Sequence, residues 1–583
     1  MKCILALSAL VALGAGASAA TQPNVVVILA DDQGWGDLSV NGNTNLKTPH
    51  IDSLAKDGAS FDRFFVQPVC SPTRAEFLTG RYHPRGGVRN VTNGGERLNL
   101  DEKTIADTLK AGGYATACFG KWHNGSQYPY HPNGRGFGEY YGFTSGHWGH
   151  YFSPPLEHNG TDVRGDGFLT DDLTTHAIGF IEKNRAKPFF CYLAFNTPHS
   201  PMQVPDRYWD RFKDLDLKMK YRGPQEEDVP FTRAALAMCE NIDDNVGRVL
   251  KALEDLKLAN NTIVIYFSDN GPNGWRWNDG MRGRKSSTDE GGVRSPLLVR
   301  WPAHIKPGAK ITQIAGAIDL LPTLTELTGV NRVGDKPLDG KSLAPLLLGE
   351  NTGWPDRILF AHWAGRVSVR SQRYRLDDAD RLYDMTTDPG QTKDISTTQP
   401  ELHKMMKSAV EAWRKDVLAN GKADDRPFPV GYHECPRTRL TARDATIAGK
   451  IQRSSPAPNC SYFTHWTTKN DAISWNVAIE TAGKYEVAVL YTCPKADVGS
   501  AIQLSYGDVK VMGKITEAHD PPLVGAQHDR VPRKGESYMK DFRALKFGTM
   551  ELPHGTGALT LRATDIPGKQ VMDLAGITLT LVK

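Results

Sequence analysis

The first half of the chain alternates short apolar runs with segments of helical periodicity. The runs N-V-V-V-I-L-A, Y-A-T-A-C-F-G, P-F-F-C-Y-L-A-F and T-I-V-I-Y-F-S begin at residues 24, 114, 188 and 262 and are apolar on both faces, as buried parallel strands are. Between them, Thr48 is placed as a helix N-cap, Pro49 at the first helical position and Gly58 as a stop. The pattern predicts an α/β fold with a large, mostly parallel sheet between helices.

Two different patterns follow toward the C-terminus. Residues 358–418 combine the strand-like S-V-R-S-Q-R-Y-R-L with a helix that begins near Gln399, which predicts a small α+β subdomain. Beyond the turn-rich D-D-R-P-F-P-V-G-Y, apolar and polar residues alternate between Gly-rich turns, which is typical of an antiparallel β-sandwich. We therefore predict a signal peptide at 1–20, a catalytic α/β domain at 21–350, a subdomain at 351–430 and a β-sandwich at 431–583.

Composition and the N-terminus narrow the possible partners and location. With 70 Lys+Arg against 66 Asp+Glu over 583 residues, the formal charge of +4 gives no reason to expect nucleic acid or an anionic membrane as partner. Lys2, an apolar run and a small-residue site at 17–19 are typical of a secretory signal peptide. No segment has the length of a membrane-spanning helix. We expect an exported protein, periplasmic or secreted, that is not integral to the membrane.

The chain has eight cysteines. Cys118 and Cys191 lie in apolar runs and are predicted to be packed thiols. One disulfide among Cys435, Cys460 and Cys493 would suit an oxidising compartment. The number of cysteines outside the predicted signal peptide is odd, which indicates that at least one of them is free or chemically special.

Cys70 is a candidate for that special role. In V-C-S-P-T-R-A-E-F-L-T-G-R, residues 69–81, Ser71 is a good N-cap, Pro72 fits the first helical position and Gly80 is placed to end the helix. Cys70 is therefore expected at the positive end of a helix dipole, which favours a thiolate or a bound oxyanion. A buried, inert cysteine is the alternative.

Polar side chains follow each of the four apolar runs. Each could cap a helix, but ligands in open α/β sheets bind beyond the carboxyl ends of the strands, so the four together predict a site. Carboxylate and amide oxygens suit a hard divalent cation, calcium better than magnesium. The candidate ligands are Asp31, Asp32, Asp269 and Asn270, and the other polar residues after the runs include Lys121, His123, Asn196 and His199.

Several stretches are similar to the signature motifs of the type I, formylglycine-dependent sulfatases of the alkaline phosphatase superfamily. They are C-S-P-T-R at 70–74 with L-T-G-R following, D-D-Q-G-W-G-D at 31–37, G-K-W-H at 120–123, P-H-S-P at 198–201, S-D-N-G-P at 268–272 and E-G-G-V-R-S-P-L-L-V-R-W-P at 290–302. The resemblance covers about residues 24–414. It implies an alkaline-phosphatase-like fold and a sulfuric ester hydrolase.

The resemblance also implies the nucleophile and the metal. In that family the cysteine is oxidised to formylglycine, whose hydrate attacks sulfur and can later expel sulfate by elimination. Cys70 would be the precursor, converted by a formylglycine-generating enzyme. After conversion it would join Asp31, Asp32, Asp269 and Asn270 as a ligand of Ca²⁺, which lowers the pKa of the diol and polarises the sulfate.

The remaining roles follow from the same resemblance. Arg74 would anchor the diol, while Lys121 and Lys285 would bind the sulfate oxygens. His123 would take the proton whose loss expels sulfate, and His199 would protonate the leaving alcohol or lie close to it. Lys285 departs from the pattern because an arginine replaces the small residue often seen before it, so an exposed loop lysine is the alternative.

Aromatic loops and the appended domain point to a carbohydrate. Aromatic faces beside an arginine suit a sugar ring that carries anionic groups, and loop packing is the alternative. The β-sandwich resembles carbohydrate-binding modules, and its Trp466 and Trp475 could form either core or a sugar platform. The predicted substrate is a sulfated poly- or oligosaccharide. The candidate substrate contacts are His147, His150, Tyr151, Trp275, Arg276 and Trp277.

Two other functions stay open at this point. A phosphodiester or phosphonate hydrolase of the same superfamily carries a similar cysteine motif. A non-catalytic glycan-binding homologue would keep its thiol unmodified.

Overall fold

The structure is a computed structural model that describes residues 22–350, 353–419 and 424–582. We name these parts the α/β domain (22–350), the small-sheet unit (353–419) and the β-domain (424–582). The predicted signal peptide lies outside the described residues. Within the three ranges, no helix combines the length and apolarity needed to cross a bilayer.

The α/β domain contains thirteen strands and nine α-helices. The strands are β1 (Asn24–Asp31), β2 (Ala59–Phe61), β3 (Phe64–Phe65), β4 (Ala115–Lys121), β5 (Glu139–Phe143), β6 (Pro155–His158), β7 (Thr161–Arg164), β8 (Phe189–Pro198), β9 (Thr262–Ser268), β10 (Arg294–Ser295), β11 (Leu297–Arg300), β12 (Ala309–Ile311) and β13 (Ala315–Gly316). The helices are α1 (Pro49–Lys56), α2 (Cys70–Thr79), α3 (Ile105–Ala111), α4 (Leu169–Lys183), α5 (Asp206–Phe212), α6 (Val229–Asp255), α7 (Glu290–Val293), α8 (Leu320–Thr328) and α9 (Ala344–Leu347).

Ten strands form one sheet in the order β12-β2-β11-β9-β1-β8-β4-β5-β6-β7. Its centre, β9-β1-β8-β4-β5, is parallel, while β11, β6 and β7 pair antiparallel with their neighbours. The sheet is therefore mixed, with antiparallel strands toward its edges. The predicted fold class is confirmed, and the four apolar runs of the sequence lie side by side as β9, β1, β8 and β4.

Helices cover both faces of the sheet. The side chains of β1 alternate between two cores, one shared with α1, α4, α5 and α6 and the other with α2, α3 and α8. All eight residues of β1 are buried. Burial on both faces explains why the central strands are apolar without alternation.

The small-sheet unit packs beside helix α2. It consists of β14 (Leu359–Trp363), β15 (Arg366–Arg370), β16 (Tyr374–Leu376), β17 (Leu382–Asp384) and α10 (Pro400–Val417), with the four strands antiparallel in sequence order. Trp413 of α10 contacts Tyr82 edge-on, with ring centroids 5.4 Å apart. This contact joins the unit to the α/β domain just beyond the end of α2.

The β-domain is a sandwich of two sheets around its own core. Its strands are β18 (Phe428–Val430), β19 (Arg437–Thr441), β20 (Thr446–Ala448), β21 (Gln452–Arg453), β22 (Phe463–Thr464), β23 (Ala472–Ile479), β24 (Gly483–Thr492), β25 (Ala501–Tyr506), β26 (Val509–Lys514), β27 (Arg543–Leu552), β28 (Gly555–Asp565) and β29 (Asp573–Leu581). All pair antiparallel except β18, which runs parallel to β23, so this sheet begins just before the predicted boundary at 431.

The two tryptophans that the sequence left open belong to the core of the β-domain. Trp466 is 1% and Trp475 0% exposed, and the Nε1 of Trp475 donates a hydrogen bond to the carbonyl of Thr441 at 2.9 Å. A sugar platform requires an exposed ring face, so neither residue can serve as one in this fold.

The expected disulfide is absent, because every cysteine in the described ranges is a free thiol. Cys493 is buried in the sandwich core, whereas the Sγ of Cys460 donates to the carbonyl of His147 at 3.0 Å and the Sγ of Cys435 lies 3.7 Å from the carbonyl of Arg437. The bridge among these three that would suit an oxidising compartment does not form, since each thiol has its own separate surroundings.

The segment between β26 and β27, residues 515–542, makes one set of contacts between the β-domain and the α/β domain. Gln203 donates from Nε2 to the carbonyl of Gly525 at 2.8 Å. The backbone N–H of Arg530 donates to the carbonyl of Met202 at 2.9 Å. The loop that follows β8 is therefore hydrogen-bonded to the β-domain.

We expect Trp475→Ala to destabilise the protein by about 3–5 kcal/mol, the usual cost of truncating a buried tryptophan. Urea unfolding monitored by tryptophan fluorescence would measure the change. Trp148→Phe, which removes a half-buried tryptophan, is the control. Unchanged stability of Trp475→Ala would contradict the core assignment.

Candidate active site

The carboxyl ends of the central strands bring the predicted residues together. Asp31 ends β1 and Lys121 ends β4, while Asp269 directly follows β9. In the parallel centre of the sheet β1 lies beside β9, and β8 separates β1 from β4, so the ends of these strands meet at one edge. The site is therefore a product of the parallel centre of the sheet.

Helix α2 supplies the cysteine. It begins at Cys70 with Val69 as N-cap, slightly earlier than the predicted cap at Ser71, and Gly80 ends it in the left-handed conformation at φ 68°. Arg74 lies one turn after Cys70, so both side chains face the same way. All ten residues of the helix are buried.

Three buried carboxylates and an amide form an oxygen-rich cluster. The backbone N–H of Asp32 donates to Oδ1 of Asp269 at 3.2 Å, and Nδ2 of Asn270 donates to Oδ1 of Asp32 at 2.8 Å. The Oδ1 of Asn270 is buried with no hydrogen-bond partner. An unpartnered buried oxygen beside carboxylates fits a cation, because such an atom otherwise loses its hydration without compensation.

Side chains of the cluster are close enough to share one ion. Ligand atoms of Asp31, Asp32, Cys70 and His199 all lie within 4.8 Å of one another. The Sγ of Cys70 is 3.3 Å from Oδ1 of Asp31. These residues therefore form a candidate metal-binding cluster with the cysteine at its edge.

Three cations neutralise the three carboxylates. The closest contacts of the pairs are Arg74 Nη2 to Asp269 at 2.8 Å, Lys121 Nζ to Asp31 at 2.6 Å and Lys285 Nζ to Asp32 at 2.7 Å. The charges of these six side chains cancel. A bound divalent cation would leave the site with a charge of +2, which favours binding of an anionic ester.

The electrostatics of the site set the protonation of its groups. Burial, followed by the charge of Asp31, raises the pKa of Asp269 to about 6. Burial alone would raise the pKa of Asp32, but the charges of Lys285 and Lys121 and the hydrogen bond from Asn270 outweigh it and hold that pKa below its usual range.

Cys70 is a neutral thiol in this environment. Burial, reinforced by the charges of Asp269 and Asp31, raises the pKa of its thiol well above the usual range. The helix dipole expected to favour a thiolate is outweighed. An unmodified Cys70 is therefore a poor nucleophile at neutral pH.

Two histidines flank the cluster, each with one nitrogen held by a carbonyl. Nε2 of His123 is 2.8 Å from the carbonyl of Val91, and its Nδ1 is buried without a partner. Nδ1 of His199 is 2.7 Å from the carbonyl of Ser200, and its Nε2 is 3.7 Å from Oδ2 of Asp32. A carbonyl only accepts, so the free nitrogens are Nδ1 of His123 and Nε2 of His199.

Both histidines are neutral at pH 7. Burial, followed by the charge of Lys121, holds the pKa of His123 well below its usual range. Burial, followed by the charge of Lys285, lowers the pKa of His199 to about 4. Either nitrogen can therefore accept a proton, and an arriving anion would favour protonation.

The predicted substrate contacts at 147–151 have different surroundings. The ring of His147 lies 5.5 Å from that of His199, so it borders the site. Tyr151 is 1% exposed and donates from its hydroxyl to the carbonyl of Ser200 at 2.8 Å, which supports the loop backbone. His150 is 6% exposed and packs near Gly525 of the β-domain.

The predicted contacts at 275–277 are mostly buried supports. Arg276 donates from Nη2 to Asp37 at 2.6 Å and to the carbonyl of Asp32 at 3.0 Å, so its guanidinium is engaged inside the protein. Trp277 is 7% exposed. Trp275 is half-buried and lies against Tyr221, with ring centroids 5.0 Å apart.

Sequence reasoning missed the buried partner Asp37. It pairs with Arg276 and accepts from the backbone N–H of Gly34 at 2.7 Å, which fixes the turn after Asp32. Asp37 closes the D-D-Q-G-W-G-D run, and its spacing from Asp32 was the available signal. The pairing with Arg276 could not be found, because 239 residues separate the two.

The fold is alkaline-phosphatase-like, and the comparisons give the family. The sulfatase family model matches residues 23–330, and the model for the C-terminal region of N-sulphoglucosamine sulphohydrolase matches 284–416. The chain belongs to the sulfatase family and is a sulfatase. Neither match reaches the β-domain.

Individual relatives agree with this membership. The chain is 33% identical over 381 residues to N-acetylgalactosamine-6-sulfatase of Mus musculus, covering 59% of this chain and 69% of the relative. It is 32% identical over 440 residues to arylsulfatase A of Homo sapiens, covering 68% and 83%. The structure of Ps i-CgsB in complex with k-i-k-neocarrahexaose is 31% identical with a TM-score of 0.62, covering 67% of this chain and 93% of that one.

We expect Asp32→Asn to weaken divalent-cation binding by about 10–100-fold or more, because one buried ligand charge is removed. Calorimetric titration of chelator-stripped protein with Ca²⁺ and Mg²⁺ would measure it. Asp210→Asn, on the exposed side of α5, is the matched control. Equal cation affinity in Asp32→Asn and the parent, with both folded by circular dichroism, would argue against a metal at this cluster.

Proposed function

We propose that this sulfatase hydrolyses a sulfate ester of a sulfated carbohydrate, using formylglycine derived from Cys70 and Ca²⁺. The observation that carries the proposal is the convergence of Cys70, three carboxylates and three cations at one buried site. The carbohydrate is supported by relatives named for N-acetylgalactosamine 6-sulfate and by a similar structure that holds a neocarrahexaose.

Conversion of Cys70 agrees with its surroundings. As a neutral thiol it lacks the nucleophilicity of a thiolate, whereas hydrated formylglycine supplies an oxygen nucleophile at the same Cβ. A separate formylglycine-generating enzyme would carry out the conversion. Arg74, fixed by Asp269 and by the carbonyl of Lys121 at 2.7 Å, would anchor the converted residue.

The cation is supported by the donor set. Asp31, Asp32, Asp269 and the free Oδ1 of Asn270 are hard oxygen ligands, which favour Ca²⁺. The bound cation would lower the pKa of the nucleophile and polarise the sulfate. Lys121 and Lys285, which each contact one of these carboxylates, are placed to share their charge with the sulfate oxygens.

The two histidines divide the proton transfers. Nδ1 is the nitrogen of His123 that no carbonyl holds, and it would accept a proton from the sulfated diol at residue 70. Loss of that proton from residue 70 would expel sulfate. His199 would carry a proton at Nε2 to the leaving alcohol. Burial and the charge of Lys285 lower its pKa to about 4, so His199 is neutral before an ester binds.

Location and domain organisation complete the proposal. We infer an exported enzyme, periplasmic or secreted, from the leader in the sequence. The α/β domain and the small-sheet unit would form the catalytic part, at 21–350 and 351–430, and the β-sandwich at 431–583 would be a carbohydrate-binding accessory.

The state of Cys70 tests the mechanism directly. We expect mass spectrometry of the 69–81 peptide from the native host to show an aldehyde that a hydrazine reagent traps. Cys70→Ala should lose hydrolysis of 4-nitrophenyl sulfate, while Cys435→Ser, a half-buried thiol elsewhere, should retain it. An unmodified thiol would favour the glycan-binding alternative. Faster turnover of a phenyl phosphonate than of the sulfate would favour the phosphonate hydrolase.

We expect the loss of kcat in His199→Ala to depend on the leaving group of the substrate. An alcohol of a sugar needs protonation, so kcat on a sulfated sugar should fall by about 10²–10⁴. 4-Nitrophenolate leaves unaided, so kcat on 4-nitrophenyl sulfate should change far less. His403→Ala, at a half-buried histidine of α10 that pairs with Asp380, should affect neither substrate. Equal losses on both substrates would assign His199 to sulfate binding instead.

A further inference from the structure

A cavity of about 380 Å³ lies between the α/β domain and the β-domain. One wall comes from residues 126–128, 142–145 and 148, and the opposite wall comes from β19, residues 459–462, 539–542 and Ala544. Its volume falls in the range of about 300–1,000 Å³ that is usual for small-molecule sites, which often lie between domains.

Both domains contribute aromatic rings to this interdomain cavity. Trp148 stacks on Phe143 with centroids 5.1 Å apart and planes at 19°. Tyr462 contacts Phe542 edge-on at 5.1 Å, and Tyr128 adds a further ring to the lining. Rings held by such contacts present rigid apolar faces at a low entropic cost of binding.

The charged groups of the lining nearly balance. Four cations stand against three carboxylates, namely Arg437, Arg439, Arg443 and Lys540 against Glu157, Asp162 and Asp541. Arg439 donates from Nη2 to Asp162 at 2.8 Å, and Arg437 pairs with the same carboxylate. The net charge of the lining therefore does not favour a charged ligand. The planar guanidinium and carboxylate groups of the Arg–Asp pairs can instead hydrogen-bond to hydroxyl groups.

The interdomain cavity and the active site lie on two sides of residues 144–148. The carbonyl of Thr144 accepts from the backbone N–H of His123 at 3.3 Å, and Thr144 also lines the cavity. A Cβ on Gly146 would lie 2.2 Å from the ring of His123, so the segment packs directly on that catalytic side chain. Cys460 lines the cavity and donates to the carbonyl of His147.

We propose that the interdomain cavity binds a pyranose unit of the glycan chain whose sulfate ester lies at residue 70. The inference rests on the proposed function and adds a subsite to it. Stacking on the aromatic rings and hydrogen bonds to the Arg–Asp pairs recognise this unit, and its own sulfate is not required. The β-domain thus contributes half of an extended substrate site.

Blocking the cavity tests this assignment. Ala544 lines it from an exposed position on β27, so Ala544→Trp fills the space without entering the core. Thr549→Trp, exposed on the same strand and outside the lining, is the matched control. We expect Ala544→Trp to lower kcat/KM on sulfated hexasaccharides by about tenfold or more. Ala544→Trp should leave kcat/KM on 4-nitrophenyl sulfate unchanged. The control Thr549→Trp should leave kcat/KM unchanged on both substrates.

Binding without turnover separates this inference from the proposed function. Cys70→Ala, with and without Ala544→Trp, would be applied to an array of sulfated and desulfated hexasaccharides. If Ala544→Trp removes the binding seen with Cys70→Ala, the subsite is supported. Absence of sulfate ester hydrolysis by the parent enzyme would overturn only the proposed function. Absence of any binding by Cys70→Ala, or binding that Ala544→Trp leaves intact, would overturn the subsite.

Discussion

The active site depends on neutralising three carboxylates inside a protein. Asp31, Asp32 and Asp269 are at most 1% exposed, and an uncompensated buried charge costs several kcal/mol. Each carboxylate therefore needs a cation at contact distance. Arg74 from α2, Lys121 from β4 and Lys285 from the loop after β9 meet this need. The Arg74–Asp269 pair also holds α2 against the strand ends, so the electrostatic constraint positions Cys70 as well.

The neutral balance leaves the site ready for a divalent cation and an anionic ester together. The free Oδ1 of Asn270 and the unpartnered Nδ1 of His123 are buried polar atoms that the protein itself does not satisfy. Each such atom costs desolvation energy, which a bound cation or an anionic ligand would offset. The loop carrying His199 is in turn held by the β-domain, through Gln203 and Gly525, so catalytic geometry and domain docking are coupled.

Much of this protein could be predicted from its sequence, because the relevant signals are local. Apolar runs identify β1, β4, β8 and β9, since strands buried on both faces must be apolar along their length. Residues that follow those runs lie at the strand ends, so the grouping of Asp31, Lys121 and Asp269 follows from strand order in a parallel sheet. The turn signal at Gly80 likewise ends α2 as expected.

What the sequence by itself determined is therefore the α/β class, the central strands and the short motifs of the sulfatase family. The tertiary structure alone decided which side chains are free to act. Arg276 looks available in the sequence but is paired with Asp37, Trp475 is core, and Cys460 and Cys493 lie in separate surroundings. The cavity between the domains also has no signature, because its walls come from two stretches of sequence more than 270 positions apart that meet only through packing. Burial and long-range pairing depend on the whole fold, whereas strand and turn signals depend on a few neighbouring residues.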